Sequence, residues 1–166
     1  MSSGIEIRLL RADDDAAAFG RIVQQAYFAL PGYPRDPGGY DDTLADVATR
    51  AAEAQVLVGL VDGRPAGCLT FVPDHVNEHA EHDDPDAACF RYFGIDPAAQ
   101  GRGLGEAMVQ WCIDETRALG MKRLRIHTLT MMFAAQRLYE RMGFVRDPGR
   151  DEDWDGILGW AYRLDL

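Results

Sequence analysis

Ile5, Ile7 and Leu9 alternate with Glu6 and Arg8 at the start of the chain. A period of two marks a strand with one buried face. The period then lengthens: Phe19, Ile22, Val23 and Ala26 follow Asp13, Asp14 and Asp15 at helical spacing. Acids suit a helix start because they accept from its free N–H groups and complement its dipole. Residues 31–39 stop this helix, and Asp41 and Asp42 open a second that is predicted to run to about residue 53. Two apolar runs, Gln55–Val61 and Arg64–Val72, flank Asp62-Gly63, the dipeptide of a two-residue hairpin turn. Residues 73–86 hold six acids, three histidines and no lysine or arginine, and read as a surface loop.

Residues 88–95 are again strand-like. Residues 101–105 open a helix that directs Leu104, Met108, Trp111, Cys112 and Leu119 inward and ends at Gly120. Residues 124–128 form the next strand and residues 133–142 a helix stopped by Gly143. Residues 144–146 and 157–164 close as two strands around a turn-rich acidic span, 147–156. The order β-α-α-β-β-β-α-β-α-β-β predicts an α/β (α+β) fold with a mixed, mainly antiparallel central sheet flanked by helices, not a doubly wound parallel one. Neither repeat nor linker interrupts it, so residues 1–166 read as a single domain.

Composition narrows the functions. A chain that is 47% hydrophobic and 27% charged folds, which excludes a disordered tail or a fibre. A net charge of -10 repels a phosphate backbone, so nucleic acid is not an expected partner. No apolar stretch approaches the roughly 18 residues of a bilayer span, and the first residues lack a signal-peptide layout. Cys68, Cys89 and Cys112 are odd in number and far apart, unlike a disulfide framework. Together these predict a cytoplasmic protein without a membrane partner, and both a monomer and a homodimer are compatible with them. The charge is also uneven. Residues 97–150 carry nine basic and five acidic side chains, net +4, while the rest carries eight and twenty-two, net -14.

The basic part contains Gln100-Gly101-Arg102-Gly103-Leu104-Gly105 between a strand and an amphipathic helix, where free N–H groups and the positive end of the dipole hold an anion. A dinucleotide fingerprint would need glycine where Glu106 stands, and a P-loop would need a lysine, yet the chain's only lysine is Lys122. A plain strand-to-helix turn is the remaining alternative.

Ile95-Asp96-Pro97 followed by this glycine run resembles the acyl-CoA signature of the GNAT (Gcn5-related) N-acetyltransferases, whose pattern is Gln/Arg-x-x-Gly-x-Gly/Ala. Ala135, Leu138, Tyr139, Gly143 and Phe144 are similar to a second family element, and the order of elements matches as well. The resemblance implies an acetyl-CoA-dependent acyltransferase acting on a primary amine of a small molecule or peptide, by direct attack in a ternary complex. It implies that backbone N–H groups of Gln100, Gly101, Arg102, Gly103, Leu104 and Gly105 hold the pyrophosphate, that Phe93, Gly94 and Ile95 pair with pantetheine, and that Tyr139 protonates the departing thiolate. A phenol is still protonated at neutral pH and can donate to a thiolate as it forms. Two departures stand out. Met132 replaces an asparagine common in the family, and residues 88–95 contain Arg91 but no acid, so a water chain or a carboxylate such as Asp84 or Asp86 becomes the candidate for the base. The acidic remainder of the chain includes the segments that flank the acceptor in this family, so the acceptor is expected to be cationic.

His75, His79 and His82, with Glu78 and Glu81 between them, invite a metal reading, but no rigid frame accompanies the spacing and no metal is expected. His127 lies in an apolar strand and reads as a satisfied sheet residue. A ping-pong route through Cys89, a non-catalytic acyl-CoA sensor, and an interaction domain using Trp154 and Trp160 remain as alternatives.

Overall fold

The computed structural model describes residues 4–166. It contains β1 (Ile5–Leu9), α1 (Ala16–Phe28), α2 (Tyr40–Ala45), α3 (Val47–Glu53), β2 (Gln55–Val61), β3 (Arg64–Val72), β4 (Ala87–Ile95), α4 (Leu104–Ala118), β5 (Arg123–Leu129), α5 (Phe133–Arg141), β6 (Val145–Arg146), β7 (Glu152–Trp154) and β8 (Ile157–Asp165). The strands form one sheet in the order β1-β2-β3-β4-β5-β8-β6, with β7 paired to β8. Every pairing is antiparallel except β4 with β5, which is the mixed sheet the element order predicts.

Local chemistry explains the boundaries. Asp15 caps α1 by accepting from Ala18 N, and Asp62 and Gly63 turn β2 into β3 with both residues left-handed, the geometry a two-residue hairpin demands. Three expectations change. The helix expected over 41–53 is two, because Asp46 leaves the helical region and caps α3 by accepting from Thr49 N. Residues 152–154, expected within a turn-rich span, add a short strand because Asp153 and Trp154 find partners in Leu158 and Ile157. Leu119 sits at the C-cap of α4 and is 47% exposed instead of facing inward.

Two cores cover the two faces of the sheet. Leu57, Leu69, Phe71, Leu104, Met108, Cys112 and Leu124 pack under α4 and α5. Phe19, Val23, Leu44, Val47, Val58 and Cys68 pack under α1, α2 and α3. What positions the site lies between these layers. The parallel pairing of β4 with β5 ends at Cys89 opposite Arg125, although both strands continue. A register shift against β3 occurs where Tyr92 adopts φ 55°, a conformation that a bulky residue rarely holds and that marks a bulge. Beyond Cys89 the sheet therefore forks, and the β4 backbone faces an opening.

Candidate active site

One end of the fork is built from backbone. Gly101 and Gly103 hold φ near 80°, a region open to glycine at little cost, and Gly103 caps α4 without a side-chain hydrogen bond. Among the described residues, the six N–H groups from Gly101 to Glu106 have no acceptor. The donor set and the helix dipole suit a multiply charged phosphate group. A Cβ built on Gly105 would lie 3.8 Å from the Phe93 side chain and 3.9 Å from that of Ile95, so the start of α4 rests on the side chains of this part of β4. The structure thus brings the glycine run to residues 93–95. Gly94 differs from its neighbours: its missing side chain admits α1, since a Cβ there would meet Val23 Cα at 2.8 Å.

The other end is a cleft of about 800 Å³ lined by side chains from distant segments. Tyr27, Tyr33, Tyr40 and Tyr92 line it, as do Ala135 and Tyr139 of α5 and Met132 just before that helix. Tyr139 packs against Phe90 at 5.8 Å and Phe144 at 5.6 Å between ring centres. Its hydroxyl has no hydrogen-bond partner among the described residues, and burial pushes the phenol above its ordinary value, so it stays protonated at neutral pH. Met132, in place of the family's asparagine, caps α5 without a side-chain hydrogen bond to the helix, and its sulfur accepts from Leu129 N at 3.4 Å.

The candidate carboxylates redistribute. Arg123 Nε and Arg125 Nε each donate to Asp84 Oδ2 at 2.8 Å, and the first of these bonds holds the Asp84 carboxyl well below the usual carboxylate range. Asp86 lies beside Lys122 and Arg123 just before β4, at the closed end of the fork. Neither lines the cleft. Glu81 does, although the loop containing it reads as solvated. Its side chain is 14% exposed, with Oε1 3.3 Å from Arg91 Nε and Oε2 3.9 Å from His127 Nδ1. It makes no aligned hydrogen bond to either, and Arg91 Nε is itself buried and unsatisfied. The loop turns inward because Asn77 donates to Glu53 O at 2.8 Å, His79 Nε2 sits 2.6 Å from Glu53 Oε2, and Arg91 donates to His79 O. A polar segment can pack when other elements supply its partners, which composition alone does not reveal.

Among the described residues His79 meets Glu53 and Glu78 while His75 lies 3.6 Å from Asp74, so the histidine trio is not one ligand set. His127 Nε2 donates to Arg150 O at 3.1 Å, as a satisfied sheet residue does. Cys89 is 2% exposed and burial pushes its thiol up to about 12, which removes the thiolate that a ping-pong route requires.

A strand fork with a glycine-built anion cradle at one end and a side-chain cleft at the other is the layout of an acyl-CoA-dependent transferase. The sequence model of the acetyltransferase (GNAT) family matches residues 18–144, and the chain belongs to that family. It is 32% identical over 149 residues to the mycothiol acetyltransferase of Rhodococcus erythropolis, covering 86% of this chain and 47% of that protein. The corresponding protein of Geodermatophilus obscurus is 30% identical over 155 residues, covering 88% and 46%. The chain spans about half the length of the curated relatives it matches. Among solved structures, yncA from Salmonella typhimurium with its cofactor acetyl-CoA superposes with a TM-score of 0.70 at 23% identity, covering 98% of this chain and 94% of that one. The ribosomal-protein-S18-alanine N-acetyltransferase of Escherichia coli gives 0.66 at 22%, with 98% and 94% covered. At these identities the likeness is one of fold. No helix among the described residues is long and apolar enough to cross a membrane.

Proposed function

We propose that the protein transfers an acetyl group from acetyl-CoA to a primary amine of a small molecule or peptide, by direct attack in a ternary complex. The observation that carries this reading is the fork itself: six unpartnered amides at one end, and an unpartnered phenol and an unaligned carboxylate at the other. The amides of residues 101–106 bind the pyrophosphate, and the β4 edge over Phe93, Gly94 and Ile95 offers N–H and C=O groups to the pantetheine amides, as an added strand would. Acetyl-CoA supplies an activated thioester, which the neutral nitrogen of the acceptor attacks. Glu81 receives the proton that this nitrogen sheds. Tyr139 donates its own to the departing sulfur, which, with a thiol pKa near 8.5, leaves more easily when protonated.

The acceptor on this reading is cationic. Tyr27, Tyr33 and Tyr40 offer aromatic surface to an ammonium, the Tyr92 ring being stacked by Arg50 and Arg91, and Asp36 and Glu152 stand at the cleft wall as exposed carboxylates. The test is release of free thiol from acetyl-CoA with a panel of polyamines, amino acids, aminoglycosides and peptide N-termini. Turnover with diamines above neutral or acidic acceptors is the expected result. No thiol release with any amine, in a protein that acetyl-CoA nevertheless stabilises, favours the alternative of a non-catalytic acyl-CoA sensor.

A further inference from the structure

A second hollow, of about 550 Å³, lies behind the cleft. The two share three lining residues, Glu81, His127 and Glu152, and all three carry groups that can hold a proton. Glu81 and His127 are well enclosed, with side chains 14% and 6% exposed, whereas Glu152 opens to solvent. The imidazole spans the partition. Its Nδ1 points at Glu81 Oε2, 3.9 Å away, and its Nε2 donates to Arg150 O, which belongs to the second hollow. The Trp154 ring, 5.5 Å between centres, holds the imidazole edge-on in this orientation.

The other charges around the second hollow are occupied. Arg125 pairs with Asp84 and Asp147, Arg150 with Asp83, and Asp151 with Arg146. Glu152 has no ion-pair partner among the described residues. Arg91, on the cleft side, lies by Glu81 and not by His127.

We infer that His127 carries the proton released by the acceptor out of the cleft and into the second hollow. This rests on the acetyl-transfer reading above. The tetrahedral adduct loses one proton from nitrogen to the Glu81 carboxylate. Glu81 passes it to Nδ1 of neutral His127, through a water or a small side-chain rotation that closes the 3.9 Å gap. The imidazolium then turns its Nε2–H from Arg150 O to water in the second hollow and releases the proton there, where Glu152 attracts it. The ring is left neutral with its proton on Nδ1, exchange with water restores the starting tautomer with Nε2 again donating to Arg150 O, and Glu81 is a carboxylate once more, one proton having crossed the partition. Product and proton leave by different openings, so the next cationic acceptor does not meet a protonated Glu81.

The test is chemical rescue in the full-length protein, using an amine that the unmodified protein acetylates. His127→Ala is expected to lower kcat about 100-fold, within the usual range for a lost acid–base group, while KM for acetyl-CoA stays unchanged. Added imidazole, small enough for the vacated space, is expected to restore most of the loss, with an efficiency that follows the basicity of substituted imidazoles. His127→Gln, which keeps a donor for Arg150 O, serves if the alanine variant does not fold. It is expected to show the same fall in kcat. Unchanged kcat in either variant overturns the inference, and so does a folded, inactive His127→Ala protein that no imidazole rescues, because that result assigns the ring a structural role. Absence of acetyl transfer by the unmodified protein overturns the acetyl-transfer reading and this inference with it.

Discussion

The two ends of the fork are built in opposite ways. At the glycine run the groups on offer are backbone: six amides without an acceptor among the described residues, two left-handed glycines and a helix dipole. At the cleft they are side chains drawn from α1, the segment before α2, the loop before β4, β5, α5 and the β7–β8 hairpin. A backbone cradle tolerates change at most positions and fails at a few. A side-chain cleft depends on supports that lie far from the ligand.

Arg50 is the strongest of those supports. It is 1% exposed and has no acidic ion-pair partner among the described residues; it donates to Thr70 Oγ1 at 3.1 Å, to Leu44 O at 3.0 Å and to Thr43 O, and its guanidinium lies 4.3 Å from the centre of the Tyr92 ring. Arg50→Ala leaves several buried polar groups unpaired at about 1–3 kcal/mol each, so a loss of about 3 kcal/mol or more is expected in urea unfolding. This is the largest effect anticipated. If the contrast between the ends holds, stabilisation by acetyl-CoA persists in the folded fraction.

Next comes Tyr139→Phe, which keeps the ring's packing and removes the hydroxyl. Turnover is expected to fall about 100-fold with little change in KM for acetyl-CoA. Near-normal turnover would return Tyr139 to the core.

Gly103→Glu strikes the backbone end. Saturating acetyl-CoA, at about a hundred times Kd, is expected to stabilise the unmodified protein by about 2.7 kcal/mol and the variant not at all. Gly103→Ala separates the causes, since it carries the same left-handed strain without the charge, and is expected to retain part of the stabilisation.

Ionic strength gives a smaller effect. Attraction of a cationic acceptor is screened over about 8 Å at physiological salt, so added salt is expected to raise acceptor KM several-fold with little change in kcat. Equal changes in KM and kcat would remove charge from the account of the cleft.

The smallest effect concerns His82, whose burial lowers its pKa to about 4 and keeps the imidazole neutral in the folded loop. The unfolded chain binds this proton more readily, so the stability associated with neutral His82 is present above about pH 6.5 and is lost as pH falls toward about 4. The melting temperature is expected to decline over that range by a few degrees, and His82→Gln to flatten the decline.

The same contrast decides what was legible in the sequence. A glycine run before a helix carries its own geometry, so Gly101 and Gly103 could be read directly, and period-two and helical spacings gave β1 to β5 and α1, α4 and α5 nearly as they stand. Asp46 was harder, because a cap within a helical pattern shows only when its side chain meets Thr49 N. Glu81 was harder still. Its meaning comes from Arg91 and His127, ten and forty-six residues on, and the local acidity that suggested a solvated loop concealed a segment held inward by Glu53 and Arg91. Asp84 had the opposite fate, since two arginines of β5 claim it for the sheet.

The three cysteines have a practical meaning for an enzyme of this chemistry. Each turnover would release CoA as a free thiol. Cys68, Cys89 and Cys112 are at most 2% exposed, with Cys68 and Cys89 pushed up to about 12 by burial and Cys112 raised as well. Exchange requires an accessible thiolate, so the folded chain is inert toward disulfides. A thiol-reactive dye added to the native protein therefore counts product alone, and a rise in its signal without acceptor reports unfolding.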